Sequence, residues 1–342
     1  MKGLWNLAKR LVGPQPEVGV TPADTVHREN KWRLLRYRAR PQGLAWSTPV
    51  LLIPSMINRH YVLDLMPGKS FVEYLVAQGH DVYIIDWGTP GPEDRYLTFD
   101  DICDRYIARA LRVATKISRQ PRAHVMGYCM GGTLAVIHTA VRPRRVASLL
   151  ALAAPIDFHD DGLLSVWTRS KGFSVGDLTR GMGNVPWPLM QLSFHMLRPT
   201  LNLSKSVRLL DRAWDDEFLD GFFASERWGN DNVSFPGAAY RTYIEQLYRG
   251  NALIDGSFSL SGQRVDLQRI KCPTLAVTFT HDHIVPTRSA AILADRVGAD
   301  DVTHWDCPGG HVGAMISRHA STGLWPRLAG WWQAHEAGVA AA

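Results

Sequence analysis

The chain has 342 residues, of which 46% are hydrophobic and 20% are charged, a globular balance that excludes a disordered protein. Its longest strongly apolar run, residues 146–156, is far shorter than the ~20 residues that span a bilayer. We therefore expect no transmembrane segment. Four cysteines are too few for a disulfide scaffold, so we expect a cytoplasmic protein.

The net charge of +6 is concentrated at the N-terminus, because residues 1–46 hold nine basic and three acidic residues and the remainder is neutral. An amphipathic helix is predicted over residues 2–12, with Leu4, Leu7 and Leu11 on one face. This helix either binds an anionic partner or surface, or docks on its own domain. Nucleic acid is not the expected partner, because no nucleic-acid-binding motif accompanies the charge.

Strand and helix patterns alternate along most of the chain. The predicted strands are residues 32–38, 49–53, 82–86, 123–126, 147–153, 273–279 and 302–306. The predicted helices are residues 70–78, 99–118, 131–141, 289–297 and 322–336. This alternation predicts an α/β fold with a mostly parallel sheet and helices on both faces.

The alternation stops between residues 157 and 267, a region rich in Trp, Phe, Gly and Pro. We interpret this region as a cap or lid inserted into the α/β core. Its aromatic residues, Trp167 among them, line an acyl pocket, form a dimer surface or simply pack in its core. The predicted organisation is a basic N-terminal arm of residues 1–30, a core of residues 31–156 and 268–342, and a cap of residues 157–267.

A nucleophile motif lies between a predicted strand and a predicted helix. Residues 127–132 read Gly-Tyr-Cys-Met-Gly-Gly, which is Gly-x-nucleophile-x-Gly with Cys129 where serine is usual. The glycines permit a sharp turn, and the helix N-terminus favours a thiolate and an oxyanion. Taken alone, the motif is also compatible with a buried structural cysteine.

An acid and a histidine follow in the chain order of a nucleophile–acid–histidine triad. Asp282 and His311 each come after a predicted strand, and neighbouring parallel strands end at one edge of a sheet. We therefore expect His311 to take the proton of Cys129 and Asp282 to orient the ring. His281 and His283 compete for the histidine role, although both lie in the same turn as the acid.

An oxyanion hole needs two backbone N–H groups. Met130 follows the nucleophile and supplies one, and the loop after strand 49–53 supplies the other. Ile57 is the preferred donor in that loop, and Met56 is the second choice. Arg59, in the same loop, is either a surface charge or the basic group that meets an anionic substrate.

These motifs belong to a larger set of segments that share a family resemblance. The segments are residues 49–54, 57–59, 61–65, 82–88, 127–132, 282–286 and 310–313 and, more weakly, residues 226–231, 236–237, 240–241 and 247–248. Together they resemble the catalytic subunit of poly(3-hydroxyalkanoate) synthases, most closely the short class III type, from about residue 31 to 335. Cys129 is the most specific feature, since esterases of the α/β-hydrolase fold usually carry serine. Val312 departs from the isoleucine that is usual in the family.

The resemblance implies an α/β-hydrolase fold and a polyester-forming acyltransferase. Cys129 accepts a 3-hydroxyacyl group from 3-hydroxyacyl-CoA, and the hydroxyl of the next unit then attacks to lengthen the polyester chain. Coenzyme A is part of the substrate and leaves as a product, so no separate cofactor and no metal are expected. An acyl-CoA thioesterase, esterase or intracellular polyester depolymerase with the same triad is the alternative, and water access to the acyl-cysteine decides between them.

The resemblance also implies partners. Class III synthases work with a second, helical subunit, and we expect such a subunit, a homodimer and the surface of the polyester granule as contacts of this chain. Residues 1–30 are expected to bind the partner subunit or the granule. A scaffold without catalysis is disfavoured by the intact triad.

Overall fold

One eight-stranded sheet organises the structure, a computed structural model that describes residues 12–197, 201–317 and 319–336, together with residues 5, 7, 9 and 10. The strands are β1 (Ala23–Glu29), β2 (Trp32–Tyr37), β3 (Val50–Ile53), β4 (Val82–Asp86), β5 (Ala123–Tyr128), β6 (Val146–Leu152), β7 (Ser259–Leu260), β8 (Gln263–Arg264), β9 (Thr274–Phe279) and β10 (Val302–Cys307). The sheet has the order β1-β2-β4-β3-β5-β6-β9-β10, and β7 and β8 form a separate hairpin.

Helices connect the strands and cover the sheet. The α-helices are α1 (Phe71–Ala77), α2 (Ile107–Ser118), α3 (Met130–Val141), α4 (Leu163–Arg169), α5 (Val175–Met182), α6 (Trp187–Leu197), α7 (Leu201–Asp211), α8 (Asp216–Asn230), α9 (Gly237–Thr242), α10 (Thr287–Ala291), α11 (Leu293–Arg296), α12 (Gly313–Ile316) and α13 (Trp325–Ala334). π-helical segments adjoin α2, α9 and α13, namely Asp101–Tyr106, Tyr243–Arg249 and Ala320–Leu324. The 3₁₀ turns are His60–Leu63, Pro92–Tyr96, Pro143–Arg145 and Leu267–Arg269.

Six strands of the sheet, from β4 to β10 in its spatial order, run parallel, whereas β1 and β2 are antiparallel. The inner strands are continuous apolar runs because both faces of the sheet are covered. Leu51 and Ile53 of β3 pack with α2 and α3, whereas Val50 and Leu52 pack with α1 and α13 on the other face. This arrangement confirms the predicted α/β fold.

The N-terminal edge of the sheet differs from the prediction. Residues 23–29, which the prediction included in the arm of residues 1–30, form β1 and pair with β2. As an edge strand, β1 buries little of its surface, and only Ala23 and Val26 pack against the cores. Its apolar alternation is therefore weak, and its charged residues resemble those of the preceding arm.

Three predicted helices are less regular than expected. The helix predicted over residues 99–118 begins with π-helical turns, and that over residues 289–297 divides at Ile292 into α10 and α11. The helix predicted over residues 322–336 also begins with π-helical turns. Apolar periodicity identifies a helix but does not distinguish a π turn from an α turn, because tertiary packing selects the wider turn.

The N-terminal arm docks on helix α8 in the part that the structure describes. Residues 5, 7, 9, 10 and 12 are helical, whereas residues 1–4, 6, 8, 11 and 337–342 lie outside the described residues. Leu7 is buried in a small cluster with Leu219 of α8, and Arg10 forms an ion pair with Asp220 at 2.6 Å. These contacts favour the docked form of the predicted helix.

The region between β6 and β9, called the cap below, contains α4 to α9 and the β7–β8 hairpin. It has no parallel strand among its described residues, and its helices extend the core that lies on the α2–α3 face. Residues of the cap such as Leu164 and Tyr243 line a cavity together with Cys129, so the cap covers the carboxyl ends of the parallel strands, which are the usual ligand site of such sheets.

None of the described helices combines the length and apolarity of a segment that spans a bilayer.

Candidate active site

The turn between β5 and α3 holds Cys129 in a strained backbone conformation. Cys129 has φ 57° and ψ −132°, a combination that costs a residue other than glycine about 1–3 kcal/mol. The turn is tight because a Cβ on Gly127 would overlap Gly132, and a Cβ on Gly131 would overlap the carbonyl oxygen of Ile53. The glycines that flank Cys129 therefore permit the close approach of α3 to β3 that presents the cysteine.

Asp282 and His311 lie after β9 and β10, and their side chains are joined by a hydrogen bond. The Nδ1 atom of His311 lies 2.6 Å from Oδ2 of Asp282. The other oxygen, Oδ1, accepts hydrogen bonds from the backbone N–H groups of Ile284 and Val285 at 2.8 and 2.9 Å. The carboxylate is thereby fixed, and both side chains of the pair are buried.

The charges around His311 determine its protonation. Burial by itself would lower its pKa, but negative charge on Cys129 and on Asp282, together with hydrogen bonds to both groups, raises the pKa to about 10. Tyr128 stacks on the imidazole with ring centroids 5.2 Å apart and donates a hydrogen bond to the backbone carbonyl of His311 at 3.0 Å. The arrangement favours an imidazolium beside the sulfur.

The competing histidines lie elsewhere. His281 and His283 are both exposed, and His283 lines the outer part of the site. Asp282 bonds the ring of His311 instead. The structure thus brings together Cys129, Asp282 and His311, the three residues that the sequence predicts as a triad.

The predicted oxyanion donors lie beside the cysteine. Met130 is the first residue of α3, so its N–H group has no acceptor within the helix. Met130 and Ile57 both line a cavity that includes Cys129. The N–H group of Ile57 donates to Oγ of Ser55 at 3.3 Å, so it must turn from this hydroxyl to bind an oxyanion. Met56, the second choice, lines a different small cavity.

Two cavities meet at Cys129. The inner cavity, of about 170 Å³, is mainly apolar and lies between the core and the cap, where its walls include Leu164, Trp167, Phe173, Met190, Tyr243 and Tyr248. The outer cavity, of about 410 Å³, contains His311 and more polar groups, including Asn58, Arg59, Lys205, Glu226, Asn230 and Asn232. The cysteine is therefore accessible both to an apolar chain and to a larger, polar ligand.

Contacts between the cap and the core form the wall of the outer cavity. Arg59 donates to Asp231 of the cap at 3.0 Å, and Tyr61 donates to the same carboxylate at 2.8 Å. Within the cap, Lys205 and Glu226 form an ion pair at 2.6 Å. Arg59, whose role the sequence leaves open, therefore both holds the cap and lines the cavity. The weaker family segment at residues 226–231 belongs to this wall.

Sequence reasoning does not identify the tyrosines of the inner cavity. Tyr240, Tyr243 and Tyr248 lie on α9 and the π-helical segment that follows it, and all three line the cavity beside Cys129. The sequence signals are their clustering in the aromatic-rich insertion and the weaker family segments at residues 240–241 and 247–248, neither of which assigns them to a cavity. Trp167, one of the aromatic residues considered for an acyl pocket, does line this cavity.

Comparisons with known proteins identify the fold and the family. The family described as alpha/beta hydrolase fold matches residues 48–310, and the family described as poly-beta-hydroxybutyrate polymerase (PhaC) N-terminus matches residues 9–75. A monoacylglycerol lipase from Paleococcus ferrophilus is a similar solved structure, with a TM-score of 0.57 and 16% identity over 90% of this chain and all of the other. That likeness shows the fold alone, and it confirms the predicted α/β-hydrolase fold.

Relatives in sequence identify a family more specifically than the likeness in fold does. The poly(3-hydroxyalkanoate) polymerase subunit PhaC of Allochromatium vinosum is 33% identical over 96% of this chain and 92% of its own length. The subunit of the same name from Haloferax mediterranei is 35% identical over 92% of this chain, which spans 64% of that relative. A third, from Synechocystis, is 31% identical over 97% of this chain and 89% of its own length.

The nucleophile turn generates a stability prediction. Gly131→Ala should lower the free energy of unfolding by about 1–3 kcal/mol, because the added methyl group overlaps the backbone of β3. The matched control is Gly330→Ala in α13, where nothing lies within 4 Å and alanine should stabilise the helix by up to about 1 kcal/mol. Both changes are measured by denaturant unfolding. Equal stability of Gly131→Ala and the wild type would contradict the proposed packing.

Proposed function

The chain belongs to the poly(3-hydroxyalkanoate) polymerase family, and from this premise we propose that Cys129, His311 and Asp282 perform its acyl transfer. The chain is an acyltransferase that builds polyester from 3-hydroxyacyl-CoA. The observation that carries the assignment of residues is the buried Asp282–His311 hydrogen bond of 2.6 Å beside a cysteine in the nucleophile turn.

The first half-reaction loads the enzyme. His311 takes the thiol proton of Cys129, and the sulfur attacks the thioester carbonyl of 3-hydroxyacyl-CoA. The N–H groups of Met130 and Ile57 bind the oxyanion. The bond to the sulfur of coenzyme A then breaks, and His311 returns the proton to that sulfur, which leaves as a thiol. The products are acyl-Cys129 and coenzyme A.

The second half-reaction lengthens the polyester. The 3-hydroxyl group of another 3-hydroxyacyl-CoA attacks the acyl-cysteine while His311 accepts its proton, and Asp282 stabilises the resulting imidazolium. An ester bond forms, the bond to the sulfur of Cys129 breaks, and that sulfur leaves as a thiolate. The lengthened chain, now a coenzyme A thioester, can reload Cys129.

The walls of the two cavities suit these steps. The apolar inner cavity takes the acyl chain, and its aromatic walls keep water from the thioester. The larger outer cavity takes the polar coenzyme A moiety. The alternative of a hydrolase with the same triad gains no support from the relatives in sequence, which are named polymerases.

The expected partners are part of the proposal. A helical partner subunit, a second copy of this chain and the surface of a cytoplasmic polyester granule are the proposed contacts. The support on this chain is that several large apolar side chains of the cap are exposed: Trp187, Leu192, Met196, Leu210 and Trp214. Coenzyme A remains substrate and product, and the mechanism needs neither a separate cofactor nor a metal.

The assignment of the nucleophile is tested with Cys129→Ala. The variant should fold but lose at least about 10³-fold in coenzyme A release and form no insoluble polymer, with or without a helical partner. The control is Cys272→Ala, at a half-buried cysteine outside both cavities, which should retain activity. Continued acyl labelling of another cysteine in Cys129→Ala would refute the assignment.

The role of the acid is tested with Asp282→Asn. This variant should still acylate Cys129 in a single turnover, because a thiol gives up its proton readily. Chain elongation should fall far more, by about 10² or greater, because an alcohol is a much weaker acid and needs a stronger base. The two half-reactions are measured separately, by acyl-enzyme mass and by polymer yield. Equal losses would show that Asp282 does not serve elongation in particular.

The size of the inner cavity generates a prediction on substrate choice. Met190→Ala enlarges this cavity, so the ratio of kcat/KM for 3-hydroxyhexanoyl-CoA to that for 3-hydroxybutyryl-CoA should rise about tenfold. Met182→Ala, at an exposed cap methionine outside the cavity, is the control and should leave the ratio unchanged. If Met190→Ala leaves the ratio unchanged, the acyl chain does not bind in the inner cavity.

A further inference from the structure

A groove lined by arginines lies far from the active site. Its cavity of about 580 Å³ is lined by seven arginines and one carboxylate, Asp104, in the described residues. The arginines are Arg105, Arg109, Arg112, Arg142, Arg144, Arg145 and Arg269. Helix α3 begins beside Cys129 and ends at this groove, so its length of about 18 Å separates the two sites.

Most of this positive charge is not neutralised within the chain. Asp104 is paired with Arg142 at 3.0 Å, Arg105 is paired with Asp101 at 3.2 Å, and Glu29 lies 3.4 and 3.9 Å from Arg105 and Arg109. No carboxylate in the described part of the chain lies within ion-pair distance of four others, all of which are exposed: Arg112, Arg144, Arg145 and Arg269. Concentrated guanidinium groups of this kind bind carboxylates or phosphates in charge-assisted pairs.

The shape of the groove favours an elongated ligand with an apolar side. Arg105, Arg109 and Arg112 lie on successive helical turns, which extend over about 10 Å. Between them and the remaining arginines, the half-buried apolar residues Ala108 and Pro143 contribute to the lining. A row of charges beside an apolar floor matches an amphipathic helix whose acidic residues recur at helical spacing.

The same features disfavour nucleic acids, lipid surfaces and small phosphorylated molecules as ligands of the groove. No Phe, Tyr or Trp lines the groove among the described residues, and the ring of His138 in its lining is buried, so the groove lacks the stacking platforms on which single-stranded nucleic acids bind. A lipid surface is flat, whereas this site is concave. A small phosphorylated molecule would not need a row of arginines on successive turns or an apolar floor.

We propose that the arginine groove binds an acidic amphipathic helix of another polypeptide. The binding free energy comes from guanidinium–carboxylate pairs along the rim and from apolar burial on the floor. The electrostatic part weakens as salt increases, because the rim is exposed to solvent. This docking neither requires nor alters the acyl transfer at Cys129, which occurs at the other end of α3.

The test uses the full chain and a labelled helical peptide of about 18 residues, with leucines on one face and glutamates at i, i+4 and i+7 beside it. Fluorescence anisotropy should show that this peptide binds at least tenfold more tightly than the same peptide with glutamine in place of glutamate. The double variant Arg112→Glu/Arg144→Glu should lose at least tenfold in affinity while keeping the wild-type unfolding temperature and acyltransferase activity.

The control Lys171→Glu/Arg180→Glu makes the same change in net charge on the cap, at exposed positions outside the groove, and should bind the peptide like the wild type. Equal binding of the glutamate and glutamine peptides would overturn the proposal, as would equal losses in the two double variants. Binding of a DNA duplex and of phosphatidylglycerol vesicles to the same variants is also measured. Tighter binding of either, abolished by Arg112→Glu/Arg144→Glu, would assign the groove to that ligand instead.

Discussion

The strained turn at Cys129 is the constraint on which the rest of the site depends. A cysteine at φ 57° is held there only because glycines allow α3 to contact β3 directly. The turn aims the sulfur at the carboxyl edge of the sheet, where β9 and β10 end in Asp282 and His311. The core thus compensates for the strain, and the parallel strands bring three distant segments to one point.

Charged groups are arranged differently in the site, at the cap and at the far end of α3. Inside the site, a buried imidazole is flanked by two groups that become negative, and these outweigh the burial that would otherwise lower its pKa. At the cap, ion pairs such as Arg59–Asp231 hold the cover over the cavity. At the far end of α3, four of the seven groove arginines have no carboxylate within ion-pair distance among the described residues. The fold therefore separates the candidate active site, where Asp282 contributes negative charge, from a positive groove.

Some of this organisation could be predicted from the sequence, and some could not. The three candidate triad residues could be located because each follows a predicted strand, and two of these strands, β5 and β9, are wholly buried. The position of Tyr243 and Tyr248 in the wall of the inner cavity could not be predicted, because both lie in a π-helical segment that only tertiary packing selects. The arginine groove was hidden because net charge along the body is zero, while residues as distant as Arg105 and Arg269 meet only in the fold.

Whether Cys129, His311 and Asp282 form one charge-coupled unit can be tested by measuring the pKa of His311. The pKa can be followed by NMR titration of the full chain, with the ring resonance assigned by comparison with His311→Gln. Charge coupling predicts a pKa raised to about 10 in the wild type and a lower value in Cys129→Ala, where one of the two negative charges is removed. A pKa near the ordinary histidine value, unchanged by Cys129→Ala, would contradict it.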